Sequence, residues 1–191
     1  MNYYNIRSLP KKNDCIALDT QIVYWVFYAS DAYALSDKRP YQIDKYAEYI
    51  EELCRNKNEL VVFGGVLLEL FKIIERNEYK LYIDVNDIPE KNLSLKEYRK
   101  NIDERKYIKE KLDIVYKQID NIANIKYDFL EKPLCEDFIG SFTNHKADFV
   151  DFSLLYFCKR EGIHNILTDD ADFKTLSGDL NIFTDNKRYW E

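Results

Sequence analysis

The strongest constraint on the fold is a set of four short apolar runs, each three to four residues long and bordered by polar residues. They lie at positions 15–18, 60–63, 165–167 and 181–183. Runs of this length and composition are typical of strands buried on both faces of a sheet. The sequence therefore predicts that these four runs form the central strands of a sheet.

The segments between the runs have the spacing of helices. Three of them carry apolar residues every three or four positions, at about 41–55, 66–76 and 149–160, and Gly162 is a plausible stop for the last. Short strands that alternate with helices predict an α/β fold with a parallel sheet and helices on both faces. Sites in such sheets form at the carboxyl ends of the strands.

The middle of the chain has a different pattern. From about 93 to 125 the apolar residues recur mostly every three or four positions, with no Gly or Pro. This spacing predicts one long amphipathic helix or a helical hairpin. We expect residues 1–191 to form a single domain, with a helical insertion over about 79–133.

Composition excludes several classes of protein. The two histidines are too few for a His-rich zinc site, and the four cysteines are far apart in sequence and are expected to be free thiols. The sequence has neither a long apolar stretch nor an apolar signal core, so we expect a cytoplasmic protein without a membrane partner. The net charge of −6 argues mildly against nucleic-acid binding, although a carboxylate metal site also makes a chain acidic.

Acidic residues follow two of the predicted strands. Asp19 comes directly after the first, and Asp169, Asp170 and Asp172 come directly after the third. Carboxylates this close together repel one another, and a bound cation relieves the repulsion. Each could instead be a helix cap or an ordinary turn residue. Their shared place at strand ends favours a common site.

Three further acids can reach the same edge of the sheet. Glu69 lies within an apolar helical segment, where a carboxylate contributes little to packing. Asp148 and Asp151 are three residues apart at the start of the next helix, so they share a face, although either could serve as an N-terminal cap or first-turn acid. Oxygen ligands alone select Mg²⁺ or Mn²⁺ over zinc. Such ions promote phosphodiester hydrolysis.

The order of these residues resembles the PIN domain family. A strand ends in Asp19-Thr20, a helix carries Glu69, and a second helix opens with Asp151 before an apolar run. The third predicted strand runs into Thr168-x-Asp-x-Asp-Phe173. The resemblance covers about 14–76 and 145–184 and excludes the middle segment. One departure is Gln21, where the family often has Asn or Ser.

The resemblance implies a three-layer PIN-like domain with a central parallel sheet of about four to five strands. It also implies a Mg²⁺- or Mn²⁺-dependent endoribonuclease, most like VapC-type toxins, with a protein antitoxin as partner and often a homodimer. The implied catalytic and metal-binding acids are Asp19, Glu69, Asp151 and Asp170. Asp172 would be an auxiliary ligand, whereas Asp169 is not expected to bind the ion. Supporting roles fall to Thr20, Thr168 and Asp148.

RNA would also need cationic contacts. The stretch from Ser94 to Lys117 has eight Lys and Arg against five acids. We expect Arg99, Arg105, Lys109 and Lys146 to contact phosphates, although a solvated helix face explains the same pattern. Two other functions stay open: a PIN fold that binds without catalysis, and a DNA- or flap-directed nuclease. A haloacid-dehalogenase-like phosphatase is excluded because it needs a second Asp where this chain has Gln21.

Overall fold

The computed structural model describes residues 1–33, 38–127 and 130–191. Its strands are β1 (Asn2–Asn5), β2 (Cys15–Leu18), β3 (Glu59–Phe63), β4 (Ala123–Lys126), β5 (Asn165–Leu167) and β6 (Asn181–Thr184). In this part of the chain they form one six-stranded sheet with the order β1-β6-β5-β2-β3-β4. All of the pairings are parallel. The predicted α/β class with a central parallel sheet is confirmed.

The helices connect successive strands. They are α1 (Thr20–Val23), α2 (Ser30–Ala32), α3 (Tyr41–Arg55), α4 (Gly64–Val85), α5 (Leu95–Tyr98), α6 (Ile102–Ile122), α7 (Lys132–Ser141) and α8 (Phe149–Glu161), with a π-helical segment, Tyr24–Ala29, between α1 and α2. Short 3-10 turns lie at Glu90–Asn92, Phe142–Asn144, Ala171–Thr175 and Lys187–Tyr189. Helices α3 and α4 pack against β3, and α6 packs against β4. Among the described residues no helix is both long and apolar enough to cross a lipid bilayer.

The core lies around the central strands. Ile16, Ala17 and Leu18 of β2 are fully buried, and so are Ile166 and Leu167 of β5. Continuous burial along a strand is characteristic of a parallel sheet covered on both faces. A second, smaller apolar cluster forms where α4, α5 and α6 meet, around Tyr79, Ile83, Tyr98 and Ile108. All four cysteines are free thiols.

The prediction of about four to five strands was too low, because both edge strands escaped detection. In β1 the sequence Asn-Tyr-Tyr-Asn alternates between exposed and half-buried residues, so it contains no apolar run. Strand β4 directly follows α6, and its Ile125 continues the helical spacing of the preceding residues. Its pairing with β3, a partner about 60 residues earlier, is what makes it a strand.

The segment at about 79–133 is therefore not wholly helical, and the expected insertion is corrected accordingly. Its first residues, through Val85, continue α4, and its later residues include β4. Residues 128 and 129 lie outside the described part. Helix α4 was expected to end near position 76, where the sequence turns polar. It continues because Glu78 is buried, accepting a hydrogen bond from the Tyr28 hydroxyl at 2.8 Å and pairing with Lys111 of α6 at 2.7 Å.

Candidate functional site

The predicted acids meet at the carboxyl edge of the sheet. Strands β2 and β5 are neighbours, so Asp19 and Thr168, which follow their last residues, lie side by side. The backbone N–H of Asp19 donates to the Leu167 carbonyl at 3.1 Å. Helix α4 leaves β3 at the same edge and packs against α8. Gly65 permits this approach, since a Cβ there would lie 3.3 Å from the Ser153 hydroxyl oxygen.

Asp19 is the most deeply buried acid of the cluster, with 2% of its surface exposed. Its Oδ1 accepts the Thr20 N–H at 2.6 Å and its Oδ2 accepts the Thr168 hydroxyl at 2.7 Å. The pKa of Asp19 is raised to about 7, mainly by burial and also by the charges of Asp170 and Glu69. The two hydrogen bonds act in the opposite direction and lower it. A buried carboxylate with two further acids near it is poorly stabilised in its charged form.

Asp151 is held by the start of α8. Asp148 is the N-terminal cap: its carboxylate accepts the N–H groups of Val150 at 2.8 Å and Asp151 at 3.0 Å. In return, the Asp148 N–H donates to the Asp151 carboxylate at 3.3 Å, which completes a capping box. Burial raises the pKa of Asp151 to about 9, with Asp19, Asp148 and Asp170 contributing repulsion. Asp148 therefore has the capping role that the sequence left as one of its alternatives. Asp151 takes part in the same capping box and is also repelled by the charges of the other acids.

Glu69 approaches the cluster from α4. Burial raises its pKa, and Asp148 and Asp170 raise it further, while Thr20 and Lys72 oppose the shift. The Thr20 hydroxyl is close enough to the Glu69 carboxylate to lower its pKa. Within the described residues this buried hydroxyl oxygen has no hydrogen-bond partner.

Asp170 is the most firmly oriented acid. Its Oδ2 accepts the Gln21 side-chain amide at 2.9 Å, its Oδ1 accepts the Asp172 N–H at 2.8 Å, and its own N–H donates to the Thr168 hydroxyl at 2.9 Å. The Tyr189 hydroxyl donates to the Asp170 carbonyl. Gln21, which departs from the family pattern, therefore orients a cluster acid. The role of Tyr189 had no signal in the sequence beyond its place in an aromatic and basic tail.

The other two acids after β5 have different surroundings. Asp169 is buried, and its carboxylate accepts hydrogen bonds from Tyr46, Tyr41 and Gln42, which make it a structural residue. Asp172 is exposed, and its N–H rather than its carboxylate contacts Asp170. The role of Asp172 as an auxiliary ligand stays a prediction.

The four acids of the cluster have little compensating positive charge around them. No described Lys or Arg forms an ion pair with Asp19, Glu69, Asp151 or Asp170. Lys72 lowers the pKa of Glu69 from a greater distance. In the described ranges no group of three or more His, Cys, Asp or Glu side chains has the arrangement of a metal site. The donor set nevertheless fits Mg²⁺ or Mn²⁺, since it consists of buried oxygens whose mutual repulsion a cation would relieve. Shared coordination would require side-chain rotation, and the Glu69 carboxylate has no described hydrogen bond to oppose it.

Neither a protein-family model nor a curated protein sequence matches this chain. Among solved structures, the chain is similar to one in the crystal structure of VapBC2 from Rickettsia felis bound to a DNA fragment from their promoter. The alignment covers 89% of this chain and 98% of that chain, with 18% sequence identity and a TM-score of 0.49. Similarity at this level says nothing about activity.

The four residues expected to contact RNA lie in two places. Arg99 pairs with Glu75 through its Nε at 2.8 Å, and Arg105 lies 3.8 Å from the same carboxylate, so part of their charge is neutralised. Arg105 and Lys109 line a cavity of about 700 Å³ together with Lys72, the cation that acts on Glu69. Lys146 is separate and exposed, two residues before the Asp148 cap. Their contact with RNA stays a prediction.

Replacing Thr168 with Val should weaken metal binding by about 10- to 100-fold, because its hydroxyl orients both Asp19 and Asp170. The variant should also lose about 1–3 kcal/mol of unfolding free energy, since it leaves buried partners unsatisfied. Isothermal titration with Mn²⁺ measures the first effect and thermal melting the second. Thr168→Ser retains the hydroxyl and should restore Mn²⁺ affinity. Wild-type Mn²⁺ affinity in the Val variant would contradict the assigned role.

Proposed function

We propose that the protein is a metal-dependent endoribonuclease that hydrolyses phosphodiester bonds in RNA. One observation carries the proposal. Three carboxylates from separate parts of the chain meet at one sheet edge: those of Asp19, Glu69 and Asp151. The pKa of each is raised, and no described Lys or Arg forms an ion pair with any of them. Such an arrangement destabilises the metal-free protein, and perturbed carboxylates of this kind are characteristic of functional sites.

In this proposal Asp19, Glu69, Asp151 and Asp170 hold Mg²⁺ or Mn²⁺. When bound, the ion supplies neutralisation of charge on the scissile phosphate and lowers the pKa of water. The chain's other residues hold the acids in place. Thr168 joins Asp19 to the Asp170 backbone, the Gln21 amide orients the Asp170 carboxylate, and the capping box holds Asp151. Burial of Asp19 keeps bulk water from its carboxylate, which strengthens its attraction for a cation.

The role as a toxin with a protein antitoxin rests on the resemblance of the acid order to VapC-type PIN domains. It predicts that the partner, when bound, covers the acid cluster and prevents cleavage. The choice of RNA over DNA rests on the same resemblance. Both are proposals about the substrate and partner of the site, and they are independent of the metal chemistry.

The test is a cleavage assay with an unstructured RNA oligonucleotide and a DNA oligonucleotide of the same sequence. We expect RNA cleavage with Mn²⁺ or Mg²⁺ and none with a chelator. Cleavage of DNA alone would replace the proposal with a DNA-directed nuclease. Absence of cleavage of either oligonucleotide over a range of Mn²⁺ concentrations would contradict a nuclease function.

A second candidate is a PIN-like fold that binds a partner without catalysis. The observation that favours it is that no three acids in the described ranges are arranged to hold an ion. A catalytically inactive protein of this kind would show no gain in thermal stability with Mn²⁺, whereas an ion that binds the folded state raises stability. Thermal melting with and without Mn²⁺ separates the two candidates.

A further inference from the structure

A second feature of the carboxyl edge lies beside the acid cluster. A cavity of about 730 Å³ opens where β1 and β6, which pair with each other, both end. Its lining includes Arg7, Tyr41, Lys45, Lys187, Arg188 and Trp190. We call it the basic cavity. Helix α3 supplies Tyr41 and Lys45, and the other four residues follow the two strands.

The basic cavity is cationic in a chain whose net charge is −6. Its lining has four Lys and Arg side chains, all exposed, and one carboxylate, Asp185. Asp185 accepts the Asn5 amide at 3.0 Å and lies 4.0 Å from the Lys45 ammonium. Within the described residues Arg7, Lys187 and Arg188 form no ion pair, so their charges are available to an anionic ligand. Local positive charge on an acidic protein favours a polyanion at this place.

Two aromatic side chains that line the cavity are exposed. Tyr41 is 44% exposed and Trp190 is 50% exposed. Exposed aromatic rings beside Lys and Arg are the combination by which proteins bind single-stranded nucleic acid, with bases on the rings and phosphates on the cations. Paired bases in a duplex do not offer their faces in this way, which favours a single strand.

The basic cavity lies beside the loop that carries Asp169 and Asp170. The Tyr41 hydroxyl donates to the Asp169 carboxylate at 3.1 Å, and the Asn186 amide donates to the Asp169 carbonyl. The Tyr189 hydroxyl, between the two cavity cations and Trp190 in sequence, donates to the carbonyl of Asp170. A strand bound in the cavity would therefore lie next to the loop that carries Asp170.

We propose that the basic cavity is a binding subsite for single-stranded RNA, adjacent to the bond that is cut. Arg7, Lys45, Lys187 and Arg188 contact phosphates, while Tyr41 and Trp190 stack against unpaired bases. The position of the cut relative to this subsite rests on the proposed nuclease function; binding itself does not. The subsite differs from the Arg99, Arg105 and Lys109 surface that the charge pattern of the sequence indicated.

The test measures RNA binding without cleavage. An unstructured, fluorescently labelled RNA oligonucleotide is titrated with the Asp19→Asn protein in the presence of a chelator, and anisotropy is followed at several salt concentrations. The Lys187→Ala/Arg188→Ala variant should lower the slope of log affinity against log salt by about 1.4, since each phosphate contact on a single strand contributes about 0.7. Trp190→Ala should weaken binding by about tenfold through loss of stacking.

Matched controls remove the same groups elsewhere. Lys12→Ala/Lys91→Ala changes the net charge equally at exposed positions outside the cavity, and Phe142→Ala removes an exposed ring that is 61% accessible. Both controls should bind RNA like the parent protein. Equal weakening in the controls and the cavity variants would overturn the subsite. So would displacement of RNA by polyglutamate at equal charge concentration, which would indicate an acidic protein partner.

Failure of the subsite and failure of the nuclease proposal are distinguishable. Loss of RNA binding in the cavity variants, combined with no metal-dependent cleavage by the wild-type protein, would support the subsite and overturn the nuclease. Metal-dependent cleavage by the wild type, with unchanged RNA binding in the cavity variants, would support the nuclease and overturn the subsite.

Discussion

Replacing Asp19 with Asn is expected to reduce Mn²⁺-dependent RNA cleavage by about a thousandfold, which corresponds to a loss of about 4 kcal/mol of metal-assisted catalysis. Asp19 is central to the cluster because it is buried and lies close enough to Asp170, Glu69 and Asp151 to affect pKa values. Asparagine has nearly the same shape and can still accept one of the two hydrogen bonds from Thr20 and Thr168. The fold should therefore persist, as measured by circular dichroism, while single-turnover cleavage falls.

The control for this variant is Asp179→Asn, which changes an exposed acid outside the cluster and removes the same charge. Its cleavage rate should match that of the wild-type protein. Equal rates for Asp19→Asn and the wild-type protein would remove Asp19 from the site. A rate reduced equally in both variants would show that net charge, and not the cluster, is responsible.

The metal-free protein should lose stability as the pH rises from about 5 to 9, and Mn²⁺ should reverse most of the loss. In the folded state the pKa values of Asp19 and Asp151 are raised to about 7 and about 9, from an ordinary value of 3.8. The folded protein therefore retains protons that the unfolded chain releases, so this stabilisation is complete below about pH 4 and disappears as the pH passes each folded pKa. The two carboxyls titrate together, and we expect a combined loss on the order of 4 kcal/mol.

Thermal melting at several pH values, with chelator and with Mn²⁺, measures this effect. For a chain of this size the loss corresponds to a melting temperature lower by roughly 10 °C at pH 9 than at pH 5. The acids whose pKa values are lowered by partners, such as Glu75 beside Arg99, titrate below this range and do not interfere. The Asp19→Asn/Asp151→Asn protein should lose much less stability over this range, since only Glu69 of the acids with a raised pKa remains, and it should respond little to Mn²⁺. A melting temperature of the wild-type protein that rises toward pH 9 would contradict the prediction. So would a response to Mn²⁺ that is equal in the double variant and the wild-type protein.

Much of the architecture could be predicted from the sequence because it depends on local patterns. The four central strands are continuous apolar runs, which only burial on both faces explains, and all four form at the expected positions. Helix α3 spans Tyr41–Arg55 as its apolar spacing indicated. The place of Asp19 and Asp170 at one edge also follows from local pattern, since residues after neighbouring parallel strands must lie together.

The tertiary structure decided the features that depend on residues distant in sequence. Strands β1 and β4 exist through pairing with β6 and β3, and neither has an apolar run of its own. Asp169 and Asp170 are chemically identical neighbours, yet tyrosines from α3 bind the first and Gln21 orients the second.

The basic cavity depends on the same kind of distant contact. It combines Arg7 with Lys187, Arg188 and Trp190, about 180 residues later in the chain, because β1 and β6 pair. The spacing of apolar residues, and the burial that it indicates, can be read from the local sequence. The neighbours of a side chain in the folded protein depend instead on which strands pair. That is why the candidate acids could be predicted from the sequence, while their hydrogen-bond partners and the adjacent cationic surface required the folded molecule.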